Sequence, residues 1–483
     1  MGVAPNTPTS APEPGGERVP TGIEGLDLLL QGGFPRGSLI LIAGNAGTGK
    51  TALATQFLGH GATKYGEKGI YVTFAEGKEI FTHNARVHSG FDFERLQDEG
   101  RVKVIDMVPV REEAISAVLE TILGEITAVG AKRLVVDPFT ALALQKKIEA
   151  RVLLRMFLGT IVRGEGCTTL LVDEVPMGSK RIGMGMEEFV ADGVIVLKKS
   201  TVNSRPLREL SFEKMRGTVI QRPSHPFTLH KGFHVFLPFE AKPPKEPRRF
   251  EPIPDSEDTF SSGNTSLDRI LGGGFRRGSI VLFDVDPDVP PTATTPLVLP
   301  PIFNFVEQKR GAFCLPTLRF GIQGFRIYAF PYIGKSAVKK HIRLMSLGGR
   351  PSEEREEPWL IGAKGESVVE DWDRFLRSST RMGPAFIFVG LDRMEYRYGA
   401  EESKRGLEFI VAKTKEIQGL TFLFGFTGRG LTEDACTISD LHFSILKQYQ
   451  TMILYGKSPD LGVYNLKVDV SKGYPLAVLT PIV

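Results

Sequence analysis

One segment restricts what this chain can fold into more than any other, because its spacing is G-x-x-x-x-G-K-[ST]. It follows the apolar run SLILIA and precedes a run with helical spacing that begins TALATQF, so it joins a strand to a helix. In such a loop the backbone N–H groups surround phosphates, the lysine reaches the β- and γ-phosphates, and the last hydroxyl binds Mg²⁺. We therefore predict that the loop binds ATP or GTP with Mg²⁺. Its residues are Gly44, Asn45, Ala46, Gly47, Thr48, Gly49, Lys50 and Thr51.

A magnesium ion held by phosphates also needs an acidic residue at the end of a neighbouring strand. The hydrophobic run Arg133-Leu134-Val135-Val136 ends at Asp137, which is the Walker B pattern. We predict that Asp137 holds Mg²⁺ together with Thr51, directly or through water. An aspartate that caps the next helix is the alternative interpretation.

The surrounding sequence alternates between two patterns. Short continuous apolar runs such as GIYVTFA and TTLLVDE are typical of strands buried on both faces. The segments between them carry apolar residues at helical spacing, as in EEAISAVLETILGEITAVG. This alternation predicts an α/β fold with a mostly parallel sheet flanked by helices.

The chain repeats itself at the scale of a domain. Residues 22–41 and 263–282 share eleven identical residues without a gap, at a constant offset of 241. Chance does not account for such a match, so we predict two tandem domains of the same fold. We expect a disordered tail at 1–16, an ATP-binding domain at 17–240, a proline-rich linker at 241–256 and a degenerate second domain at 257–483.

Composition excludes several classes of protein. Apolar residues make up 41% and charged residues 24% of the chain, as in ordinary soluble domains. The net charge of +4 does not favour nucleic-acid binding. The three cysteines are widely separated and fit neither a disulfide framework nor a zinc site. With no signal peptide or membrane span in the sequence, we expect a cytoplasmic protein that does not contact membranes.

The motifs resemble those of the KaiC family, a branch of the RecA-type P-loop ATPases with archaeal members. The resemblance rests on the loop at 44–51, the strands YVTFAE and RLVVD, the segment EEFVADGVIVL, and K-M-R-G-T at 214–218. In that family the lysine and arginine of the last motif cross the subunit boundary and contact the neighbour's γ-phosphate. The resemblance therefore implies a homo-oligomeric ring, in particular a hexamer, with catalytic roles for Lys214 and Arg216.

One departure from the family concerns hydrolysis. The family usually has two glutamates after its second strand, and the first orients the attacking water. Here the sequence is Ala75-Glu76, so only the later glutamate remains as a candidate catalytic residue. If the strand continued, Glu76 would point to the opposite face from Ala75. Loss of the water-orienting group predicts slow or absent hydrolysis with intact binding.

The second departure concerns the repeat. At the same offset, Gly44 becomes Val285 and Lys50 becomes Pro291. The strand FIFVGLD, aligned with the Walker B strand, has Gly390 at the position of Asp137. Asp284, Asp286 and Asp288 are expected to repel a triphosphate, since they stand near its place. The K-M-R motif is aligned with 470–472, which puts Val470 at the position of Lys214. These losses predict a second domain that binds no nucleotide.

The leading interpretation is an ATP-binding regulator or signal-transduction protein whose second domain presents a surface to a protein partner. Two alternatives stay open. The architecture resembles the gas-vesicle regulator D group, which implies transcriptional regulation, and a RecA-type DNA repair paralogue would use Lys180 and Arg181 in a pore loop. An active ring ATPase or autokinase is disfavoured by Ala75.

Overall fold

The computed structural model describes residues 16–107, 115–140, 164–176, 178, 190–346, 357–364, 367–378 and 383–483. The proposed tail, apart from Gly16, and the loop residues Lys180 and Arg181 lie outside these ranges. The chain divides into two compact units, one of residues 1–237 with 482–483 and one of residues 238–481.

The strands of the first unit form a two-stranded ribbon and a nine-stranded sheet. They are β1 (Arg18–Val19), β2 (Phe34–Pro35), β3 (Leu39–Gly44), β4 (Gly69–Thr73), β5 (Val102–Asp106), β6 (Arg133–Asp137), β7 (Thr168–Glu174), β8 (Gly193–Val202), β9 (Arg205–Met215), β10 (Ser224–Thr228) and β11 (His234–Val235). The large sheet has the order β11-β10-β9-β8-β3-β7-β6-β4-β5. Six neighbouring strands, β8, β3, β7, β6, β4 and β5, run parallel. Strands β9, β10 and β11 extend the sheet from β8 by antiparallel pairing.

The helices described in this unit cover the two faces of the sheet. They are α1 (Leu26–Leu29), α2 (Lys50–Lys64), α3 (Lys78–Ser89), α4 (Phe93–Asp98) and α5 (Ile115–Val129). Alternate residues of β3 enter separate cores, because successive strand side chains point to opposite faces. Ile40 and Ile42 pack with α2, while Leu39 and Leu41 pack with α5.

The second unit repeats this plan with a ribbon and a ten-stranded sheet. Its strands are β12 (Thr259–Phe260), β13 (Phe275–Arg276), β14 (Ser279–Val285), β15 (Ala312–Leu315), β16 (Ile342–Ser346), β17 (Leu360–Gly362), β18 (Phe386–Gly390), β19 (Leu420–Phe426), β20 (Leu441–Gln448), β21 (Thr451–Ser458), β22 (Val463–Asp469) and β23 (Leu476–Pro481). The order is β17-β16-β15-β18-β19-β14-β20-β21-β22-β23. Seven strands are parallel and the last three are antiparallel.

The described helices of the second unit flank this sheet. They are α6 (Thr265–Ile270), α7 (Pro291–Glu307), α8 (Gly321–Tyr328), α9 (Lys335–His341), α10 (Val368–Arg377), α11 (Leu391–Tyr398), α12 (Ala400–Glu416) and α13 (Gly430–Ile438), with a 3₁₀ turn at Phe330–Tyr332. The prediction of two tandem RecA-like α/β domains is confirmed.

The segment expected to be a linker packs within the second unit. Phe250 is buried in the core, and the Arg249 guanidinium pairs with Glu307 on α7, with Nη2 2.7 Å from Oε2. The Ile253 N–H donates to Asn304 Oδ1 at 2.7 Å. Proline content alone could not show this, because the burial depends on a single aromatic side chain among polar neighbours.

Candidate functional site

The loop at 44–51 has the conformation that phosphate binding requires. It leaves β3 at Gly44 and enters α2 at Lys50. Gly47 and Gly49 have φ values of 70° and 103°, which side chains other than glycine rarely adopt. The Lys50 ammonium donates to the carbonyls of Gly44 and Asn45 at 2.9 Å each, and burial lowers its pKa. Lys50 is thus already held within the loop, at the N-terminus of a helix whose dipole favours anions.

Asp137 is the last residue of β6, as the sequence predicts. Its Oδ2 accepts hydrogen bonds from Thr51 Oγ1 at 2.8 Å and from the Tyr71 hydroxyl at 2.5 Å. Burial raises the pKa of Asp137, although both hydrogen bonds and the Lys50 charge oppose that shift. A hydroxyl and a carboxylate brought together in this way are the hard oxygen ligands that Mg²⁺ prefers. The two predicted metal residues therefore fit the ion.

A cavity of about 650 Å³ opens in front of the loop. This volume is in the range of small-molecule and cofactor sites. Six elements contribute to its wall: the loop, α2, α3, the ends of β6 and β7, and the turn after β10. The lining residues are Ala46, Gly47, Gly49, Lys50, Thr51, Ala52, Thr55, Asn84, Ala85, Val87, Ser89, Gly90, Asp137, Glu174, Leu229, Lys231 and Gly232.

One lining residue and two basic residues beside the loop were not identified from the sequence, because they come from distant segments. Leu229 lies so near the loop that a Cβ on Gly49 would be 3.0 Å from its Cδ2. Arg208 on β9 donates through Nη1 to the Gly47 carbonyl at 3.1 Å. A Cβ placed at Gly47 would lie 2.9 Å from the ammonium nitrogen of Lys199, which is on β8. No motif marks these residues, although Arg208 and Lys199 are the two basic residues paired across β8 and β9.

Glu76 reaches the site indirectly. Strand β4 ends at Thr73, so the alternation of a continuing strand does not fix the direction of Glu76. The Thr73 hydroxyl donates to the Glu76 carbonyl at 2.9 Å, and Glu76 Oε2 accepts from Asn84 Nδ2 at 2.9 Å. Asn84 lines the cavity, so the Glu76 carboxylate is connected to the cavity through the Asn84 amide.

Lys214 and Arg216 lie at the other end of the sheet. Lys214 is paired with Val194 near the start of β8. Arg216 donates its backbone N–H to the carbonyl of Asp192 at 2.8 Å, and its Nη1 is 3.3 Å from Asp192 Oδ1. Asp192 in turn donates to the carbonyl of Leu39, the first residue of β3. Lys214 and Arg216 therefore lie near the start of β3, whereas the phosphate-binding loop of the same chain begins at the end of β3.

Comparison with known proteins identifies the family of the first unit. The sequence profile of the KaiC ATPase family matches residues 19–238. The circadian clock oscillator protein KaiC of Thermostichus vulcanus is 33% identical over 286 residues, 57% of this chain and 54% of that protein. The KaiC protein of Picosynechococcus sp. is 34% identical over 295 residues, again 57% of this chain and 54% of that protein.

Residues 19–238 form a domain of the KaiC-like ATPase family. The whole chain spans about half the length of these relatives. A crystal structure of a KaiC-like protein from the archaeon Pyrococcus horikoshii is 36% identical, with a TM-score of 0.41, and covers 46% of this chain and 99% of that one. The profile named GvpD basic region 2 matches residues 249–325, so the resemblance to the gas-vesicle regulator D group is confirmed. Among the described residues, no helix is both long and apolar enough to cross a membrane.

The second unit has an apolar hollow where the first, KaiC-like unit has its cavity. The strand register makes Val285 the counterpart of Gly44 and Phe426 the counterpart of Glu174. Both line a hollow of about 30 Å³, together with Pro291 and the aromatic rings of Phe388 and Phe424. A hollow of this size is far too small for a nucleotide.

Gly390 occupies the position of Asp137, and its surroundings leave no space for a side chain. A Cβ at Gly390 would lie 2.6 Å from the Thr317 nitrogen and 2.8 Å from the Pro316 carbonyl carbon. Both are backbone atoms, so neither moves without moving the chain. The loss of the acidic residue is therefore built into the packing of the second unit.

The expectation that Asp284 repels a triphosphate is wrong. Asp284 lies within β14, between Phe283 and Val285, which enter the opposite core. Its Oδ2 is 2.7 Å from the Lys457 ammonium, and its Oδ1 accepts from Thr427 Oγ1 at 2.6 Å. Burial alone would raise the pKa of Asp284, but these bonds and one from His442 outweigh it and hold that pKa well below its usual range. Its charge is paired with that of Lys457.

The alignment of the K-M-R motif with Val470 is also wrong. In the first unit, β8 and β9 pair Val194 with Lys214, and the register shifts at the next residue. In the second, β20 and β21 pair His442 with Ser458, and the register shifts at the same place. Ser458 is thus the counterpart of Lys214, and Asp460 follows at the position of Arg216. Val470 lies beyond β22, one strand later.

Proposed function

We propose that this chain is an ATP-binding regulatory protein whose nucleotide lies between neighbouring subunits of a homo-oligomeric ring. ATP with Mg²⁺ occupies the cavity of the first unit, hydrolysis there is slow, and the second unit contacts a protein partner. The observation that supports this most directly is the pairing of an intact cavity at one end of the first sheet with Lys214 and Arg216 at the other.

The separation of these two features supports binding between subunits. Arg216 is level with Leu39, and the loop begins at Gly44, five residues further along β3. At a rise of about 3.3 Å per residue, this is about 16 Å along the strand. An arginine side chain does not span that distance. A neighbouring copy in a head-to-tail ring can instead bring its Arg216 to the cavity, since such contacts join different surfaces of identical subunits.

Slow hydrolysis is proposed from the chemistry around the expected γ-phosphate. Phosphoryl transfer relies on a group that orients the attacking water. Ala75 offers no such group, and the carboxylate of Glu76 accepts from Asn84 rather than lining the cavity. The chain would therefore hold ATP much longer than an efficient ATPase does. Long occupancy suits a protein whose assembly is controlled by nucleotide, because a ligand bound only by the assembled state shifts assembly by mass action.

The test is native mass measurement of the full chain with and without ATP and Mg²⁺, combined with an ATP-binding and a hydrolysis assay. We expect the wild type to form a ring with ATP. Lys50→Ala should lose both binding and assembly, because it removes the charge that reaches the phosphates. Arg216→Ala should weaken assembly and keep monomer binding. Lys64→Ala, on the same helix but at its far end, is the matched control and should behave as wild type.

Two results would contradict the proposal. A chain that stays monomeric at saturating ATP would exclude nucleotide between subunits. Turnover as fast as an ordinary ring ATPase, abolished by Glu76→Gln, would exclude the slow-hydrolysis part and assign Glu76 a direct role.

Transcriptional regulation of the gas-vesicle type is a second candidate, and the match of residues 249–325 to GvpD basic region 2 favours it. The expected result is that the full chain captures a regulator protein only when ATP is present, with Lys50→Ala as the negative control. The DNA-repair alternative rests on Lys180 and Arg181, which lie outside the described residues. Salt-sensitive binding of single-stranded DNA, lost when both are alanine, would favour it instead.

A further inference from the structure

We propose that Tyr71 is a positioning residue for magnesium, which holds the Asp137 carboxylate against Thr51 so that the site gains affinity for nucleotide when Mg²⁺ is present. This inference rests on the proposed function, because it concerns the same cavity. Tyr71 lies on β4 and belongs to none of the phosphate-binding motifs. Its hydroxyl nevertheless makes a 2.5 Å hydrogen bond to Asp137 Oδ2.

The Tyr71 hydroxyl is the donor of this hydrogen bond, because a carboxylate oxygen accepts. Thr51 Oγ1 donates to the same oxygen at 2.8 Å, so Oδ2 receives both donors. We infer that the other oxygen, Oδ1, is the one that would serve a metal ion or its bound water.

The tyrosine ring is itself held firmly. Tyr71 is 1% exposed, and its ring lies 4.0 Å from that of Phe81, centroid to centroid. Phe81 is in turn packed against Phe93 at 5.4 Å. A rigid donor of this kind fixes the orientation of a carboxylate better than an exposed one, because a side chain locked by packing holds its partner in one geometry. A phenylalanine would keep this packing and remove only the hydrogen bond.

The second unit gives independent support. The register β4–β6 pairs Tyr71 with Val135, and the register β15–β18 pairs Cys314 with Phe388. Since Phe388 is the counterpart of Val135, Cys314 is the counterpart of Tyr71. The unit that has glycine in place of Asp137 thus also has no hydroxyl in place of Tyr71. The tyrosine and the aspartate are present together in one unit and absent together in the other.

The experiment measures the affinity of the full chain for a non-hydrolysable ATP analogue, once with Mg²⁺ and once with EDTA. In Tyr71→Phe we expect affinity in EDTA to stay within about twofold of wild type, and the gain on adding Mg²⁺ to fall about tenfold, since a hydrogen bond to a charged group is lost. Combined with Asp137→Asn, the change should cause no further loss. Tyr398→Phe is the matched control, because it removes a tyrosine hydroxyl bonded to a carboxylate, Asp371 Oδ2 at 2.8 Å, in the other unit.

Three results would overturn the inference. An unchanged magnesium gain in Tyr71→Phe would show that Asp137 needs no such donor. An equal loss with Mg²⁺ and with EDTA would show a general structural role, as would a comparable loss in Tyr398→Phe. If the wild type bound no nucleotide under either condition, both this inference and the proposed function would fail, whereas the first two results affect only Tyr71.

Discussion

Asp137 and Gly390 occupy the same register position in two sheets whose shared strands have the same order, yet only the first position has space for a side chain. In the first unit the carboxylate meets Thr51 and Tyr71. In the second, the backbone of Pro316 and Thr317 fills the equivalent volume. The second unit is thus packed without space for an acidic residue at this position, and restoring that residue alone would not restore a site.

This close packing gives a direct prediction. Gly390→Ala should destabilise the second unit by about 1–3 kcal/mol, because overpacking forces the backbone apart. Gly390→Asp should be worse and should restore no ATP binding. Both tryptophans, Trp359 and Trp372, lie in the second unit, so their fluorescence during urea unfolding of the full chain reports on this unit.

The control for Gly390 is Gly383→Ala. No atom lies within 4 Å of a Cβ placed at Gly383, and its unfolding should match wild type within about 0.5 kcal/mol, as is usual for surface substitutions. Equal effects of the two substitutions, or a stable Gly390→Asp protein, would mean that the second unit has more space than its backbone distances indicate.

The sequence predicted those parts of the site that are contiguous in the chain. The loop at 44–51, Asp137 and the strands around them follow from local spacing and apolar periodicity. The contact of Tyr71 with Asp137 does not, because β4 and β6 become neighbours only through the order of the sheet. Local patterns carry no information about which distant side chains meet at one edge of a sheet.

The two wrong expectations in the second unit have the same origin. The constant offset of 241 holds through β14 and its helix, but the positions of Lys214 and Ser458 differ by 244. The sequence alignment therefore placed the counterpart of the K-M-R motif after β22, whereas the structure places it at the end of β21. The neutralisation of Asp284 depends on Lys457, which is 173 residues away, so no count of nearby carboxylates could reveal it.

Restoring the missing glutamate should accelerate hydrolysis. In Ala75→Glu we expect ATP turnover at least tenfold faster than wild type with unchanged ATP affinity, because only the water-orienting group is added. Steady-state phosphate release measures it. Ala75→Gln has nearly the same size without the charge and should stay at the wild-type rate. Equal rates in the two variants and wild type would show that something other than residue 75 limits the reaction.

A histidine on α2, the helix that follows the phosphate-binding loop, makes the stability of the first unit depend on pH. His60 on α2 packs edge-on against Phe91, with ring centroids 4.9 Å apart. Burial, followed by the Lys64 and Arg133 charges, lowers the pKa of His60 to about 4, against about 6.5 in the unfolded chain. The unfolded state binds the extra proton between these two values, so stability should fall as the pH drops from about 6.5 to about 4.

Hydrogen exchange of α2 peptides at pH 7.5 and pH 5, after correction for the intrinsic exchange rate, would show this as a smaller opening free energy at the lower pH. His60→Gln, which does not titrate, should flatten the difference. His230→Gln is the matched control and should leave it unchanged. A wild-type protein equally protected at both pH values would contradict the expected direction.

The buried ion pair of the second unit leads to the last prediction. Lys457→Met should lower the free energy of unfolding by about 2 kcal/mol, because it leaves the Asp284 carboxylate, 6% exposed, without its cation. This loss of unfolding free energy is smaller than is usual when one partner of a buried ion pair is removed, because Lys457 is 37% exposed and water partly screens its charge. The double variant Asp284→Ala/Lys457→Met should recover most of the loss, since alanine is the residue at the equivalent position of the first unit, Ala43. Tryptophan fluorescence in urea measures the wild type, both single variants and the double variant. An additive double variant would show that the two side chains do not depend on each other.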